Sequence, residues 1–199
     1  MKITQIELVD KKRKRIYIDD EFAYVLYNSE VRRFRLEEGE EIGQPLHDEI
    51  EQAVIKRAKL KVMDLLKRSD KTEQELRTKL RTASFPEKAV EEAISYVRGY
   101  KYLDDERYAS NYIRMKKQTK SKNAIVYDLI SKGIEKEIID QYMEEEFDSD
   151  DEEEAIKKLI YKKTSNPSEL DLEKKQKLVA SICRKGFSYE KVKRIISNI

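Results

Sequence analysis

The chain has 199 residues, of which 42 are lysine or arginine and 40 are aspartate or glutamate, so its formal net charge at pH 7 is +2. This near balance argues against a uniformly basic nucleic-acid binder, and a charged share of 41% against a hydrophobic share of 39% favours modular packing over one large core. A single cysteine, Cys183, excludes an intramolecular disulfide, and no stretch suits a signal peptide or a membrane span, so we expect a soluble, cytoplasmic protein.

The first 47 residues predict a small β-rich extension. Apolar residues alternate within residues 2–9 and again within residues 15–19, which predicts two strands joined by a basic turn. Residues 21–27 are expected to supply the third strand that such a sheet needs in water. Ser29 is placed to cap a short helix that follows.

From residue 48 onward the apolar periodicity is helical. Residues 48–68 predict one long amphipathic helix. Thr72 and Glu75 then have the reciprocal spacing of a capping box, which starts a second helix. A third helix follows Ser84-Phe85-Pro86 and is expected to end with Gly99 as its C-terminal cap. These three helices form one unit.

The three-helix pattern recurs along the chain. Four apolar positions separated by five, five and four residues occur in three copies: Leu80, Phe85, Val90 and Ile94; Leu129, Ile134, Ile139 and Met143; Ile182, Phe187, Val192 and Ile196. In the second and third copies a glycine, Gly133 or Gly186, is expected to take the left-handed conformation that ends a helix. We therefore predict a mainly α fold, in which three tandem three-helix repeats form an elongated, curved array behind a small N-terminal β-rich extension.

The predicted domains follow from these repeats. The β-rich extension takes residues 1–47, and the helical repeats take residues 48–103, 104–148 and 149–199.

Charge is distributed unevenly over the second and third repeats. Residues 144–154 hold nine acidic residues and no basic one, whereas residues 107–132 hold seven basic residues and one acidic residue. A helix beginning after Asp104 carries an apolar face of Tyr108, Tyr112 and Met115, with most basic residues elsewhere around it. The near-neutral total therefore hides opposed patches.

Six basic residues of the second repeat form the candidate contact site for a protein or DNA partner: Arg107, Arg114, Lys116, Lys117, Lys120 and Lys122. Those near the junction of two helices are expected to project outward with little constraint from packing, and to contribute little to folding. The alternative is a solvated helix face beside an ordinary core stripe.

Residue patterns that would support catalysis are missing. The five glycines are scattered rather than gathered in a phosphate loop, and His47 is the single histidine. No serine lies in a nucleophile elbow, and the acidic residues 148–152 lack the central glycine of a calcium loop. We predict a binding protein with no catalytic residue, metal or cofactor.

Several motifs resemble those of the RecX family of recombination regulators, and specifically its longer form from Gram-positive bacteria. The resemblance rests on residues 65–68 and 72–80, on the Tyr-Leu-Asp-Asp-Glu-Arg-Tyr-Ala run at 102–109 with Tyr112 after it, and on Lys-Gly-Ile at 132–134. It covers the chain from about Asp48 to the end. The Ser84-Phe85-Pro86 connection departs from the commoner one that contains glycine, and the third repeat is weakly marked.

The resemblance implies a non-enzymatic protein that binds the RecA filament and modulates its ATP hydrolysis and strand exchange. We expect it to be a monomer. Single-stranded or double-stranded DNA is a further candidate partner. A stand-alone DNA-binding protein is the alternative, since tyrosines and basic residues interleave between residues 108 and 122. Binding through many phosphates would weaken steeply with salt even without RecA, which separates the two hypotheses.

Overall fold

A computed structural model describes residues 1–199, and it is mainly helical with a small sheet at the start. The strands are β1 (Ile3–Leu8), β2 (Arg13–Ile18) and β3 (Glu21–Tyr27), and they form an antiparallel meander in chain order. All three predicted strands are confirmed. The short helix after β3 begins at Asn28, so Ser29 lies inside it rather than capping it; instead, the backbone N–H of Tyr27 donates to Glu30 Oε2 at 2.7 Å.

The helices number ten: α1 (Asn28–Arg33), α2 (Gln44–Arg68), α3 (Glu73–Thr82), α4 (Glu87–Gly99), α5 (Asp105–Lys116), α6 (Lys122–Ser131), α7 (Lys136–Glu146), α8 (Asp151–Tyr161), α9 (Leu172–Cys183) and α10 (Tyr189–Ser197). A single 3₁₀ turn lies at Pro167–Glu169. The chain divides into two compact units, Met1–Asp104 and Asp105–Ile199. The first contains the sheet and α1 to α4, and the second contains α5 to α10.

In the first unit, the sheet and the helices share one hydrophobic core. Ile3, Ile16 and Leu26 lie on the buried face of the sheet, because alternate side chains of a strand point the same way. The long helix α2 buries Val54 and Ala58 on the side that meets this core. It begins four residues earlier than predicted, at Gln44, with proline in its first turn where no backbone N–H is needed.

Arg57 of α2 joins the sheet to the first three-helix group. Its guanidinium donates to the backbone carbonyl of Val25 and to the carboxylate of Glu30, both at 2.5 Å. It also lies over the rings of Tyr27 and Phe85, with 5.1 Å and 5.5 Å from Cζ to the ring centroids. Because the planar guanidinium serves four partners from three segments, Arg57 fixes α2 against β3.

The first repeat contains the predicted capping box. Thr72 Oγ1 accepts from the backbone N–H of Glu75 and Glu75 Oε2 accepts from the backbone N–H of Thr72, both at 3.2 Å. The end of α4 differs from the prediction. Gly99 is the last helical residue, and Lys101 takes the left-handed conformation with φ 56°. The helix thus ends at the glycine, but the left-handed residue that turns the chain lies two residues beyond it.

The connection between α3 and α4 has the same geometry as its counterpart in the second repeat, although its residues differ. Ser84 has φ 61° at the position where Gly133 has φ 78°. The N–H of Phe85 donates to Leu80 and that of Ile134 donates to Leu129, each at 3.1 Å. Serine here bears a steric cost that glycine avoids.

Replacing Ser84 by glycine is expected to stabilise the protein by about 0.5 to 1 kcal/mol, because relief of the left-handed strain exceeds the extra entropy of glycine in the unfolded chain. Urea denaturation would measure it. As a matched control, Ser95→Gly on the exposed surface of α4 should destabilise by about 0.5 to 1 kcal/mol. Two losses of similar size would contradict the proposed strain at Ser84.

The second unit contains two further cores. One is formed by α5, α6 and α7, and the other by α8, α9 and α10. Of the repeated apolar positions, all are buried except Phe85 and Ile196, which are partly buried. Tyr108 and Tyr112 pack at the edge of their core as predicted, but Met115 does not, since it is 61% exposed. The buried stripe of α5 instead uses Ala109 and Ile113.

Candidate binding surface

The predicted contact residues lie mainly where α5 ends and α6 begins. Four of the six are in this connection or at its ends: Lys116, Lys117, Lys120 and Lys122. Arg114 precedes it in the last turn of α5, whereas Arg107 lies in the first turn of the same helix. The structure therefore brings five of the six close together along the chain and leaves one apart.

The same connection is held by its contact with the end of α9. Ser121 caps α6, its buried hydroxyl accepting from the N–H of Ala124 at 3.2 Å, and its own N–H donates to the carbonyl of Lys185 at 3.2 Å. Gly186, with φ 93°, lies directly against Ser121 and Ala124. The second and third repeats thus meet at a glycine that leaves no room for a side chain.

Lys117 does not project freely outward, so the prediction is wrong for this residue, whereas Arg114 is exposed but ion-paired. Arg114 makes two contacts with the carboxylate of Glu146, at 2.5 Å and 2.6 Å. The ammonium of Lys117 donates to the backbone carbonyl of Glu146 at 2.8 Å and to Asp151 at 3.1 Å. The side chain of Lys117 is only 24% exposed, so its pair is shielded from solvent and removing one partner would leave the other charge uncompensated.

Lys120 is also engaged within the chain. Its ammonium pairs with the carboxylate of Asp128, which in addition accepts from the hydroxyl of Tyr112 at 2.6 Å. Burial by itself would raise the pKa of Asp128, but these two hydrogen bonds outweigh it and hold that pKa below its usual range. Asp128, the single acidic residue in the basic segment, therefore links the α5–α6 connection to α5 through Lys120 and Tyr112.

The other three candidate residues are not held by the ion pairs described above. The ammonium of Lys116 lies 5.7 Å from the centroid of the Tyr112 ring, a cation–π distance. Lys122 is exposed and its side chain makes no ion pair, although its backbone N–H donates to Glu152 at 2.9 Å. Arg107 is exposed on the first turn of α5. Lys122 is the cation of the connection most open to a partner.

Glu152 is the centre of the contact between α6 and α10. One carboxylate oxygen accepts from the backbone of Lys122, and the other pairs with the ammonium of Lys191 at 2.5 Å. Burial favours a raised pKa, but the hydrogen bonds from Lys191 and Lys122 more than offset it, so the pKa of Glu152 is lowered. The carboxylate is therefore ionised at neutral pH and joins the second repeat to the third.

The two opposed charge patches of the sequence thus meet inside the second unit. Residues of the acidic run, namely Glu146, Asp151 and Glu152, bind cations or backbone N–H groups of the basic connection. Hydrogen bonding from Arg114 likewise lowers the pKa of Glu146. Much of the basic charge is consequently neutralised within the chain, and only part of it remains for a partner.

A surface that the sequence analysis did not identify lies at the end of α4. Tyr96, Tyr100 and Tyr102 are 36%, 62% and 47% exposed, and their rings lie in a row. The centroids of Tyr96 and Tyr100 are 4.9 Å apart, and those of Tyr100 and Tyr102 are 6.0 Å apart with planes only 15° from parallel. The sequence signal that could have indicated this surface is the presence of three tyrosines within seven residues around Gly99.

Comparison with known proteins shows that each of the three helical groups matches a known domain. Family models of the first, second and third three-helix domains of RecX match residues 58–96, 104–143 and 150–196 respectively. A regulatory protein RecX from Clostridium acetobutylicum is 32% identical, covering 99% of this chain and 95% of the relative. The chain belongs to the RecX family. The candidate contacts at the start of α6 lie in the second RecX domain.

Other RecX proteins match at similar levels. The regulatory protein RecX of Caldanaerobacter subterraneus is 32% identical, covering 99% of both chains. A crystal structure of regulatory protein RecX matches with a TM-score of 0.58 and 29% identity, covering 100% of this chain and 99% of that one. RecX from Lactobacillus salivarius gives a TM-score of 0.57 at 25% identity, covering 74% of this chain and 97% of its own.

These comparisons confirm the predicted family and fold class. The mainly helical chain contains three RecX three-helix domains behind its three-stranded N-terminal sheet. None of its helices has the length and apolar character needed to cross a bilayer.

Proposed function

We propose that this protein regulates the RecA recombinase in the cytoplasm. In this role it binds the RecA filament on single-stranded DNA and restrains ATP hydrolysis, strand exchange and filament growth during recombination and repair. The observation that carries the proposal is membership of a family of regulatory proteins over nearly the whole chain, with all three RecX domains matched in order. The role is one of binding rather than catalysis.

The surface proposed for RecA or DNA includes the exposed cations of the second domain. Lys122 has an exposed ammonium without an ion pair, and Arg107 is exposed on α5. Arg114 is 62% exposed although it holds Glu146, so it can also take part. Lys117 and Lys120 have mainly a structural role, because their ion pairs with Asp151 and Asp128 hold the α5–α6 connection in place. Lys116 contacts the ring of Tyr112 through its ammonium and has no ion pair, so we give it neither role exclusively.

The test is the ATPase activity of RecA on single-stranded DNA, measured with and without this protein at constant RecA and DNA concentrations. The rate is expected to fall as the protein is added, and to approach a low plateau. A heat-denatured sample and an equal amount of an unrelated protein of similar charge serve as controls. An unchanged rate at concentrations well above that of RecA would contradict the proposal.

A stand-alone DNA-binding role is the second candidate, favoured by the exposed tyrosine row and by the free ammonium of Lys122. It predicts strong binding to DNA without RecA and a steep loss of affinity with salt. RecA regulation predicts instead that the effect on ATP hydrolysis persists at salt concentrations where binding to DNA alone is lost.

A further inference from the structure

The tyrosine row of the first unit is a surface without an assigned role. Its three members are Tyr96, Tyr100 and Tyr102, which extend from the last turns of α4 into the following turn. Every residue from 98 to 102 is exposed, so each ring has part of its surface open to solvent. Tyrosine is usually half-buried, and three exposed rings in contact with one another form an unusual aromatic surface.

The segment that carries the rings has basic and aromatic side chains and no acidic one. Residues 95–102 expose only serine, tyrosine, arginine, glycine and lysine, and residues 93–103 include no carboxylate. The ammonium of Lys59 lies 5.5 Å from the centroid of the Tyr96 ring. Lys59 and Arg98 are partly offset by ion pairs with Glu92 and Glu73. Lys101 has no carboxylate partner.

Lys101 also has a conformation that lysine rarely adopts. Its φ is 56°, in the left-handed region, and this turn places the residue between Tyr100 and Tyr102. The turn brings the rings of these two tyrosines nearly parallel, 15° apart. A lysine in a position suited to glycine carries a steric cost, and such cost is concentrated at functional sites. The turn thus carries an exposed lysine in the sequence between two tyrosines whose rings are nearly parallel.

We propose that Tyr96, Tyr100 and Tyr102, with Lys101, form a platform on which unpaired bases of single-stranded nucleic acid stack. Aromatic faces bind bases of any sequence, and neighbouring cations hold the phosphates between them. Tyrosine and arginine also anchor protein–protein contacts, so a protein partner is the alternative that the test has to separate. The inference rests on the proposed function, because a regulator of filaments on single-stranded DNA meets such strands at the filament.

The test measures binding of a labelled oligothymidylate to the full chain by fluorescence anisotropy, without RecA. Tyr100→Ala is expected to weaken binding about tenfold or more, whereas Tyr100→Phe, which keeps the ring, should bind nearly as the parent does. Tyr127→Ala is the control for an exposed tyrosine elsewhere: this residue is 72% exposed on α6, and its substitution should leave the affinity unchanged. Thermal melting by circular dichroism checks that each variant is folded.

An abasic oligonucleotide of equal length separates stacking from phosphate binding. The parent protein is expected to bind it more weakly than oligothymidylate, and Tyr100→Ala should remove this difference. Equal affinity of the parent for both strands, or an unchanged affinity of Tyr100→Ala for oligothymidylate, would overturn the platform. Loss of RecA inhibition in Tyr100→Ala without loss of DNA binding would also overturn it and would assign the row to a protein contact, leaving the proposed function intact.

Discussion

Replacing Gly186 by alanine is expected to destabilise the unit of residues 105–199 by about 3 kcal/mol, since two costs combine. The backbone has φ 93°, which an L-residue adopts only with strain. A Cβ at this position would also lie 2.7 Å from Cβ of Ala124 and closer still to Oγ of Ser121. Ala124 Cβ is fixed by the backbone of α6 and Ser121 Oγ is held by its cap hydrogen bond, so both have little freedom to move aside. Urea denaturation followed by circular dichroism measures the loss.

Gly39→Ala is the matched control for the strain alone. Gly39 has φ 85°, yet no heavy atom lies within 4 Å of the position that its Cβ would take. Its substitution should cost about 1 to 2 kcal/mol, the strain of the left-handed conformation. The difference between the two variants therefore reports the contact between the second and third repeats. Equal losses of stability for Gly186→Ala and Gly39→Ala would show that the contact between the repeats adjusts to the new Cβ without an energetic penalty.

Reversing the charge of Lys117 should cost about 2 kcal/mol or more of stability, because a glutamate there would face the carboxylate of Asp151 and the carbonyl of Glu146. Both members of the Lys117–Asp151 pair are largely shielded, with side chains 24% and 16% exposed. Such a pair is screened less by water and salt than an exposed one. Thermal melting at two salt concentrations would test this, and the loss should persist at the higher one.

Lys122→Glu is the matched reversal five residues along the chain. Its ammonium is exposed without an ion pair, so the stability should change by under about 1 kcal/mol. We expect the same variant to inhibit RecA ATPase less well than the parent, because the reversed charge repels an acidic groove or phosphate. A folded Lys122→Glu protein with full inhibition would remove Lys122 from the proposed contact.

The contrast between the shielded Lys117 and the exposed Lys122 determines which variants can test the basic surface. Changing Arg114, Lys117 and Lys120 together to glutamate would break three internal ion pairs, so lost inhibition could simply report a damaged second unit. Separate reversals at Lys117 and Lys122 distinguish these causes, since one acts on folding and the other on the open surface.

The local structure followed from the sequence because its signals act over short distances. Thr72 and Glu75 predicted a capping box that forms as expected, and the alternating residues of the first segment predicted the strands. Glycines 133 and 186 were predicted to be left-handed and are so. The repeated apolar spacing gave the three-helix groups, since burial of one helix face depends on a period of 3.6 residues.

Long-range partners did not follow from the sequence. The basic residues of the α5–α6 connection looked unconstrained, because Glu146 and Asp151 are about thirty residues away from Arg114 and Lys117 along the chain. No local pattern specifies which carboxylate a flexible ammonium will meet, since that depends on how the repeats pack. The left-handed residue after α4 is Lys101 rather than Gly99, which shows the same limit at shorter range.

The sequence by itself determined the fold class, the repeats and the family of this protein, because helix periodicity, caps and motifs are written in neighbouring residues. Only the tertiary structure decided which charges remain open. It paired Arg114, Lys117 and Lys120 internally, left Lys122 exposed, and brought three tyrosines into one row. The physical reason is that charge availability and ring contact depend on distances across the folded chain, which residue spacing alone does not fix.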